Sequence, residues 1–233
     1  MQRFGLSYLW EQGDTVLHAI TVFLLLMSLA SWIVMLGKAL DLLRLRRAMQ
    51  GAGERFWHAD SWERGLGTLG VPANNPFHAL AETGQEALAH HRGSQRQLHD
   101  AMDVSDWVTR CLKSSIEDAI DRLQSGLPVL ASVGSTAPFV GLLGTVWGIY
   151  HALIGIGSAG QATLDQVAGP VGEALIMTAL GLFVAIPAVL GYNALNRGNR
   201  RVISRLNRFA HDLHAYLVTG SRVGLQGRGM AEA

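Results

Sequence analysis

A carboxylate inside an otherwise apolar run is the first group in this chain that could do chemistry. Residues 167–192, VAGPVGEALIMTALGLFVAIPAVLGY, contain no Lys, Arg, His or Asp and a single acidic side chain, Glu173. The run is longer than the roughly 20 apolar residues that cross a bilayer, which makes it a transmembrane helix by length. An acidic side chain at the bilayer centre costs about 2.5–3.5 kcal/mol on insertion scales, so such residues face a bundle interior or an aqueous cavity and serve transport. Two hydroxyls belong to the same chemistry. Thr145 and Thr178 lie equally far from Ile156 and Val167, the facing ends of two antiparallel apolar runs, so both come to a similar depth, roughly 16 Å in at about 1.5 Å per residue. Glu173 then sits one to two turns nearer that end. One carboxylate above two hydroxyls, in a wall with no other polar side chain at that level, is what a proton or cation path requires. The structural alternative is that each Thr bonds its own i−4 carbonyl, as membrane Thr residues often do, and that Glu173 merely opens its helix near the interface. A neutral Gln would fill that second role at lower cost, which favours the functional reading of the carboxylate.

These residues need two walls to hold them. On a helical wheel, at about 100° per residue, Gly134, Ala137, Gly141, Gly144, Thr145, Gly148, Ala152 and Gly155 share one side of the 127–156 run. Phe139, Leu143, Val146 and Tyr150 lie opposite. In the 167–192 run Ala174, Thr178, Gly181, Ala185 and Ala188 share a face, with Ile176, Phe183 and Leu190 behind and Glu173 on the shoulder beside Met177 and Val184. Small residues at this spacing let membrane helices approach closely where lipid gives no hydrophobic drive for association. The two runs are expected to form an inner wall.

A third apolar run, 16–37, is apolar on all sides and suits a lipid-facing rim. It follows an acidic flank, Glu11 and Asp14, without the basic n-region or small-residue cleavage site of a signal peptide, so it is expected to remain in the mature protein. Three such runs predict an all-α integral membrane protein. The expected organisation is an outer N-terminus over 1–15, spans at 16–37, 127–156 and 167–195, a cytoplasmic helical loop over 38–126, a short outer loop at 157–166, and a cytoplasmic basic helix with a flexible tail over 196–233. Pro138 and Pro187, inside the second and third spans, predict local kinks. Tyr8 and Trp10 suit the headgroup layer.

Orientation comes from the bases. Lys38, Arg44, Arg46, Arg47, Arg110, Lys113, Arg122, Arg197, Arg200, Arg201, Arg205 and Arg208 all flank one side of the spans, whereas Arg3 stands alone on the other. The positive-inside bias therefore puts the long loop and the tail in the cytoplasm. The five arginines from Arg197 to Arg208 form one basic helix face that sets topology and could also hold anionic phospholipid. Within the long loop, Leu98, Met102, Val108, Leu112, Ile116, Ala119 and Leu123 recur at three- and four-residue steps, predicting an amphipathic helix over 95–123. Gly51, Gly53, Gly65, Gly67, Gly70 and the VPANNP run at 71–76 read as turns.

Other chemistry has little behind it. With 19 basic against 18 acidic residues there is no general attraction to nucleic acid. Cys111 is the one cysteine, so no intrachain disulfide forms, and it reads as a small apolar helix residue. GLLGTVWG at 141–148 lacks the Lys of a phosphate loop. His211 and His214 have metal-compatible spacing but no partner cluster and read as surface histidines. No Ser, His and acid set supports a hydrolase. The expectation is a protein that is not an enzyme, with no catalytic residue, metal or cofactor.

The segments STAPFVGLLGTVWGIYHALIGI (135–156) and VAGPVGEALIMTALGLFVAIPAVLGYNALNR (167–197) closely resemble the second and third spans of the ExbB/TolQ/MotA proton-channel family. Residues 16–126 resemble the family in layout more than in motif. The IGI after the GTVWGI core is more similar to the ExbB branch than to TolQ, with MotA more distant. Gly169-Pro170 departs from the family's usual Pro then Gly, which bears on the helix entry before Glu173. The resemblance implies a homopentamer in the bacterial inner membrane around a central pore, a transmembrane dimer of ExbD in that pore, and association with TonB. It implies a stator in which proton flow energises TonB-dependent uptake of iron-siderophores and vitamin B12. Glu173, Thr145 and Thr178 match the family's polar pore residues, and the proton-carrying aspartate would come from ExbD. A TolQ-like subunit powering outer-membrane constriction with TolR and TolA is the alternative within the family, and a passive membrane scaffold the alternative outside it.

Overall fold

The computed structural model describes residues 14–70, 75–93, 103–159 and 164–221. Every regular element among them is a helix: α1 Thr15–Ala48, α2 Ala52–Trp57, α3 Trp62–Thr68, α4 Pro76–Gly93, α5 Val104–Gln124, α6 Leu127–Ala159 and α7 Leu164–Thr219. Three of them are long and apolar enough to cross a membrane. The chain divides into two compact units, one built from residues up to Ala39 together with Gly126–Asn196, the other from Leu40–Ser125 and Arg197 onward. α1 and α7 contribute to both.

The first unit holds the three apolar helical segments. Ile20 and Leu24 of α1, Val133 and Ala137 of α6, and Met177, Val184, Ala185 and Ala188 of α7 form one buried cluster. Ser31 of α1 is buried too and donates to the carbonyl of Ser28, which satisfies its hydroxyl within its own helix. The outer faces are the reverse. Phe139 is 70% exposed and Phe183 74%, and Leu25, Ile33, Val146 and Leu190 are also exposed. So much contiguous apolar surface would be a liability in water and is the natural surface of a helix set in lipid or against other protein. α1, expected to be apolar on all sides, thus buries one narrow stripe through Ile20, Leu24 and Ser31. Pro138 stands inside α6, and Pro170 and Pro187 inside α7, with helix on both sides of each.

The second unit is amphipathic throughout. α5 buries Val108, Leu112 and Ala119, three of the positions whose spacing predicted it; Leu98 and Met102 of the same expectation lie outside the described residues. α7 turns Val202, Leu206, Phe209, Ala210 and Leu213 inward. Phe56 packs edge-on against Trp57, Trp62 and Phe209, with ring centroids 5.0, 5.4 and 5.3 Å away, and Trp62 stacks on Tyr216. α4 contacts α5 and α7 so closely that a Cβ on Gly84 would come within 2.8 Å of Leu217 and 3.2 Å of Leu112.

One expectation for this region needs correction. Gly53, Gly65 and Gly67 are not turn residues but lie within α2 and α3. Ser61 caps α3 by accepting from the Arg64 N–H, and Gly65 is buried under Phe56, so a local cap and a tertiary contact outweigh the intrinsic cost of glycine in a helix. Gly51 and Gly70 do have the left-handed backbone of turns. Of the VPANNP run, residues 71–74 lie outside the described residues; Asn75 opens α4, its side-chain oxygen accepting from the Phe77 N–H and its amide donating to the Leu69 carbonyl.

Asn199 has a comparable role. It is buried, and its side-chain amide donates to the carbonyl of Leu123 at the C-terminal end of α5, 2.7 Å away. The last carbonyls of a helix have no partner of their own. Asn199→Ala leaves that carbonyl unsatisfied and is expected to destabilise the second unit by about 1–3 kcal/mol, read as faster limited proteolysis of residues 104–124.

Candidate functional site

The site is built where α6 crosses α7, inside the first unit. At the crossing neither helix can carry a side chain. A Cβ on Gly141 would lie 2.6 Å from the Met177 carbonyl oxygen and 3.1 Å from the Gly181 Cα, and one on Gly181 would lie 2.6 Å from the Ala137 carbonyl oxygen and 3.0 Å from the Gly141 Cα. Along the same seam Gly144 faces the Met177 side chain and Gly148 faces Ala174. Gly141, Gly144, Gly148, Ala174, Gly181 and Ala185 are all buried, and Ala152, nearer the end of α6, is half-buried. Backbones meeting at this distance gain dispersion contacts that bulky residues forbid, which is how helices associate in lipid.

Thr145 and Thr178 meet in this seam. Their hydroxyls are hydrogen-bonded to each other, and the Thr145 hydroxyl also lies 2.9 Å from the Ala174 carbonyl and 3.2 Å from that of Gly141. An arrangement that satisfies both has Thr178 donating to Thr145 and Thr145 donating to Ala174 across the helix pair. Thr145 therefore keeps the i−4 contact typical of a membrane threonine and adds a bond to the neighbouring helix. It is 9% exposed and Thr178 is half-buried. The two hydroxyls thus meet across the helix seam. From α1, Thr21 donates to its own Leu17 carbonyl at 2.8 Å and approaches the sulfur of Met177 at 3.6 Å, tying the third helix to the same point.

Glu173 lies in α7 immediately before Ala174; its side chain lies outside the described residues. What fixes its place on the helix is its neighbour. Ala174 is 1% exposed, its carbonyl accepts from Thr145, and its Cβ lies 3.1 Å from where a side chain on Gly148 would begin. The backbone bearing the carboxylate is therefore anchored to α6 one residue away. Thr145→Val keeps the volume and removes both cross-helix bonds. Interhelical polar contacts in membranes contribute about 0.6 kcal/mol on average and up to about 1.7, so this variant is expected to lower the melting temperature of the purified protein by a few degrees while it still assembles.

Arg197, Arg200, Arg201, Arg205 and Arg208 are all exposed on α7 in the second unit, opposite the buried Val202, Leu206 and Phe209. Among the described residues none of the five forms an ion pair with a carboxylate; Arg208 donates to the Ser204 hydroxyl at 3.3 Å. His214, expected on the surface, is instead half-buried, with its Nε2 3.2 Å from the Ser105 hydroxyl, while His211 is exposed. Cys111 is half-buried, and burial pushes its thiol above the ordinary value.

Sequence reasoning missed a polar cluster at the N-terminal end of α1. Asp14 Oδ1 accepts from the Thr15 N–H at 2.7 Å, its Oδ2 accepts from the Trp147 indole N–H at 3.2 Å, and His151 Nε2 lies 3.8 Å from the same oxygen. The Trp147 and His151 rings lie 4.6 Å apart. Trp147 and His151 are four residues apart, a helical step that could have shown them on one face, but nothing in the sequence places Asp14 beside them.

Known proteins resemble this chain in sequence over most of its length. The family described as the MotA/TolQ/ExbB proton channel family matches residues 75–208. The biopolymer transport protein ExbB of Xanthomonas campestris pv. campestris is 46% identical over 216 residues, 91% of this chain and 85% of that protein. ExbB of Neisseria meningitidis serogroup B is 41% identical over 218 residues, 92% of this chain and 97% of that protein. The Tol-Pal system protein TolQ of Pseudomonas aeruginosa is 34% identical over 210 residues, 89% of this chain and 90% of that protein. With three helices able to cross a bilayer and a match covering more than half its length, the chain is a multi-pass membrane protein belonging to the MotA/TolQ/ExbB proton channel family.

Proposed function

We propose that this chain is an ExbB-like stator subunit of the bacterial inner membrane that, with ExbD, uses the proton-motive force to energise TonB for uptake of iron-siderophores and vitamin B12. The observation that carries the reading is 46% identity to an ExbB spread over 91% of the chain, against 34% to a TolQ. In this reading the chain forms a homopentamer, and the pore encloses a transmembrane ExbD dimer. Glu173, Thr145 and Thr178 belong to the proton pathway, with the two hydroxyls holding the helix seam that positions the carboxylate. The N-terminus and the 157–166 loop face the periplasm, and the 38–126 loop and the basic tail face the cytoplasm as a helical bundle. The exposed arginines of α7 meet anionic phospholipid there.

The test is co-expression of the chain with ExbD or with TolR, followed by purification and by proton flux into proteoliposomes. The expected result is a stable complex with ExbD that conducts protons and restores growth on iron-siderophores to cells lacking ExbB. A complex with TolR alone, restoring outer-membrane integrity, would assign the TolQ-like role instead. Full siderophore uptake by a non-conducting complex would make the chain a passive scaffold.

A further inference from the structure

We infer that the first unit carries a binding site for one phospholipid, of the kind with a primary ammonium headgroup, in the leaflet at the N-terminal end of α1. The inference uses the membrane-spanning character of the helices and is independent of which partner the chain serves. An apolar groove of about 400 Å³ runs between α1 and α6, lined by Thr15, Val16, Ala19, Ile20, Phe23, Val140 and Leu143. It lies on helices that cross the bilayer, where hydrocarbon is the medium that fills an open apolar groove. Its direction suits an acyl chain: it starts at the first residue of α1 and runs inward past Ile20 to Phe23.

At its Thr15 end the groove adjoins the polar cluster of Asp14, Trp147 and His151. Thr15, at its mouth, adjoins Asp14, and Leu143 is one turn from Trp147 and two from His151. The Asp14 carboxylate is held in place by the Thr15 N–H and the Trp147 indole, yet its side chain remains 45% exposed, and that of His151 is 44% exposed. A carboxylate fixed by two donors and still open to solvent complements an ammonium and repels a headgroup that carries only a phosphate. An ammonium bearing N–H groups can donate to it, which a quaternary ammonium cannot. The imidazole beside it, and the amphipathic Trp147 ring, suit the phosphate and glycerol level, where Trp is enriched in membranes. The groove and the cluster together match the two ends of one amphiphile.

The experiment uses the full-length protein in its purified complex, exchanged into nanodiscs of equal phosphatidylethanolamine, phosphatidylglycerol and phosphatidylcholine and released for native mass spectrometry. The wild type is expected to retain phosphatidylethanolamine over the other two by roughly tenfold, the size of one charge-assisted hydrogen bond. Asp14→Asn is expected to bring that preference to about unity, and Ala19→Trp, which fills the groove, to abolish retention of any lipid there while the oligomeric mass is unchanged. Equal retention of the three lipids by the wild type overturns the inference, as does an Ala19→Trp protein that retains lipid as the wild type does. Disulfide formation between neighbouring copies of Ala19→Cys, with no lipid retained, would show a second copy of the chain in the groove and also overturn it. Proton flux recorded on the same samples tests the stator reading separately, since lipid retention does not depend on conduction.

Discussion

Gly141→Leu is expected to separate α6 from α7 and leave little assembled complex in the membrane. The added Cβ would begin 2.6 Å from a backbone carbonyl oxygen and 3.1 Å from the Cα of Gly181. Neither atom can rotate away as a side chain could. Overpacking a well-packed core costs about 1–3 kcal/mol when neighbours can adjust; here the only adjustment is to move one helix off the other, which also breaks the Thr145 contacts to Thr178 and Ala174. The loss should therefore reach or exceed the top of that range. Gly181→Leu meets the mirror-image obstruction at the Ala137 carbonyl and should behave alike. Gly155→Ala is the control, because nothing lies within 4 Å of a Cβ built there, and it should assemble as the wild type does. Size-exclusion profiles of the three purified proteins decide the matter. A normally assembled Gly141→Leu protein would show that the close crossing is dispensable.

Glu173→Gln is expected to reduce proton flux through the reconstituted complex by roughly a hundredfold or more, the effect commonly seen when a positioned proton-transfer group is removed. Gln has nearly the same shape and cannot exchange a proton. The helix around it should hold, since Ala174 remains buried against Gly148 and bonded to Thr145. Loss of flux with an intact complex and intact ExbD binding is the predicted pattern. Glu173→Asp keeps the chemistry on a shorter arm and should retain partial flux. Wild-type flux in Glu173→Gln would remove the carboxylate from the pathway.

The seam was legible in the sequence because it rests on a periodicity. Gly141, Gly144, Gly148, Ala174, Gly181 and Ala185 fall on one face of their helices by spacing alone, and those faces are buried. Thr145 and Thr178 could be put at one depth by their distances from the run ends, but the bond from Thr145 to the Ala174 carbonyl depends on the rotational register of two helices, which no single run encodes. The long loop was harder to read. α4 buries Phe77, Leu80, Ala81 and Ala87, yet His78, Glu82 and Gly84 are interleaved with them and obscure the apolar stripe. α2 and α3 depend on the aromatic cluster around Phe56, a long-range association in which Phe209 comes from the far end of the chain. Asn199 lies among the arginines of a basic helix, and only the position of the Leu123 carbonyl gives it a role.

The unbroken course of α7 has a mechanical consequence. Its 56 residues include two prolines, both in the part that belongs to the first unit. Pro170 and Pro187 each omit a rung of the hydrogen-bond ladder, so compliance is concentrated in the half that contains Glu173. Beyond Pro187 no proline interrupts the helix up to Thr219. The backbone that bears the carboxylate is thus the most easily bent part of the helix, and replacing either proline would stiffen it there.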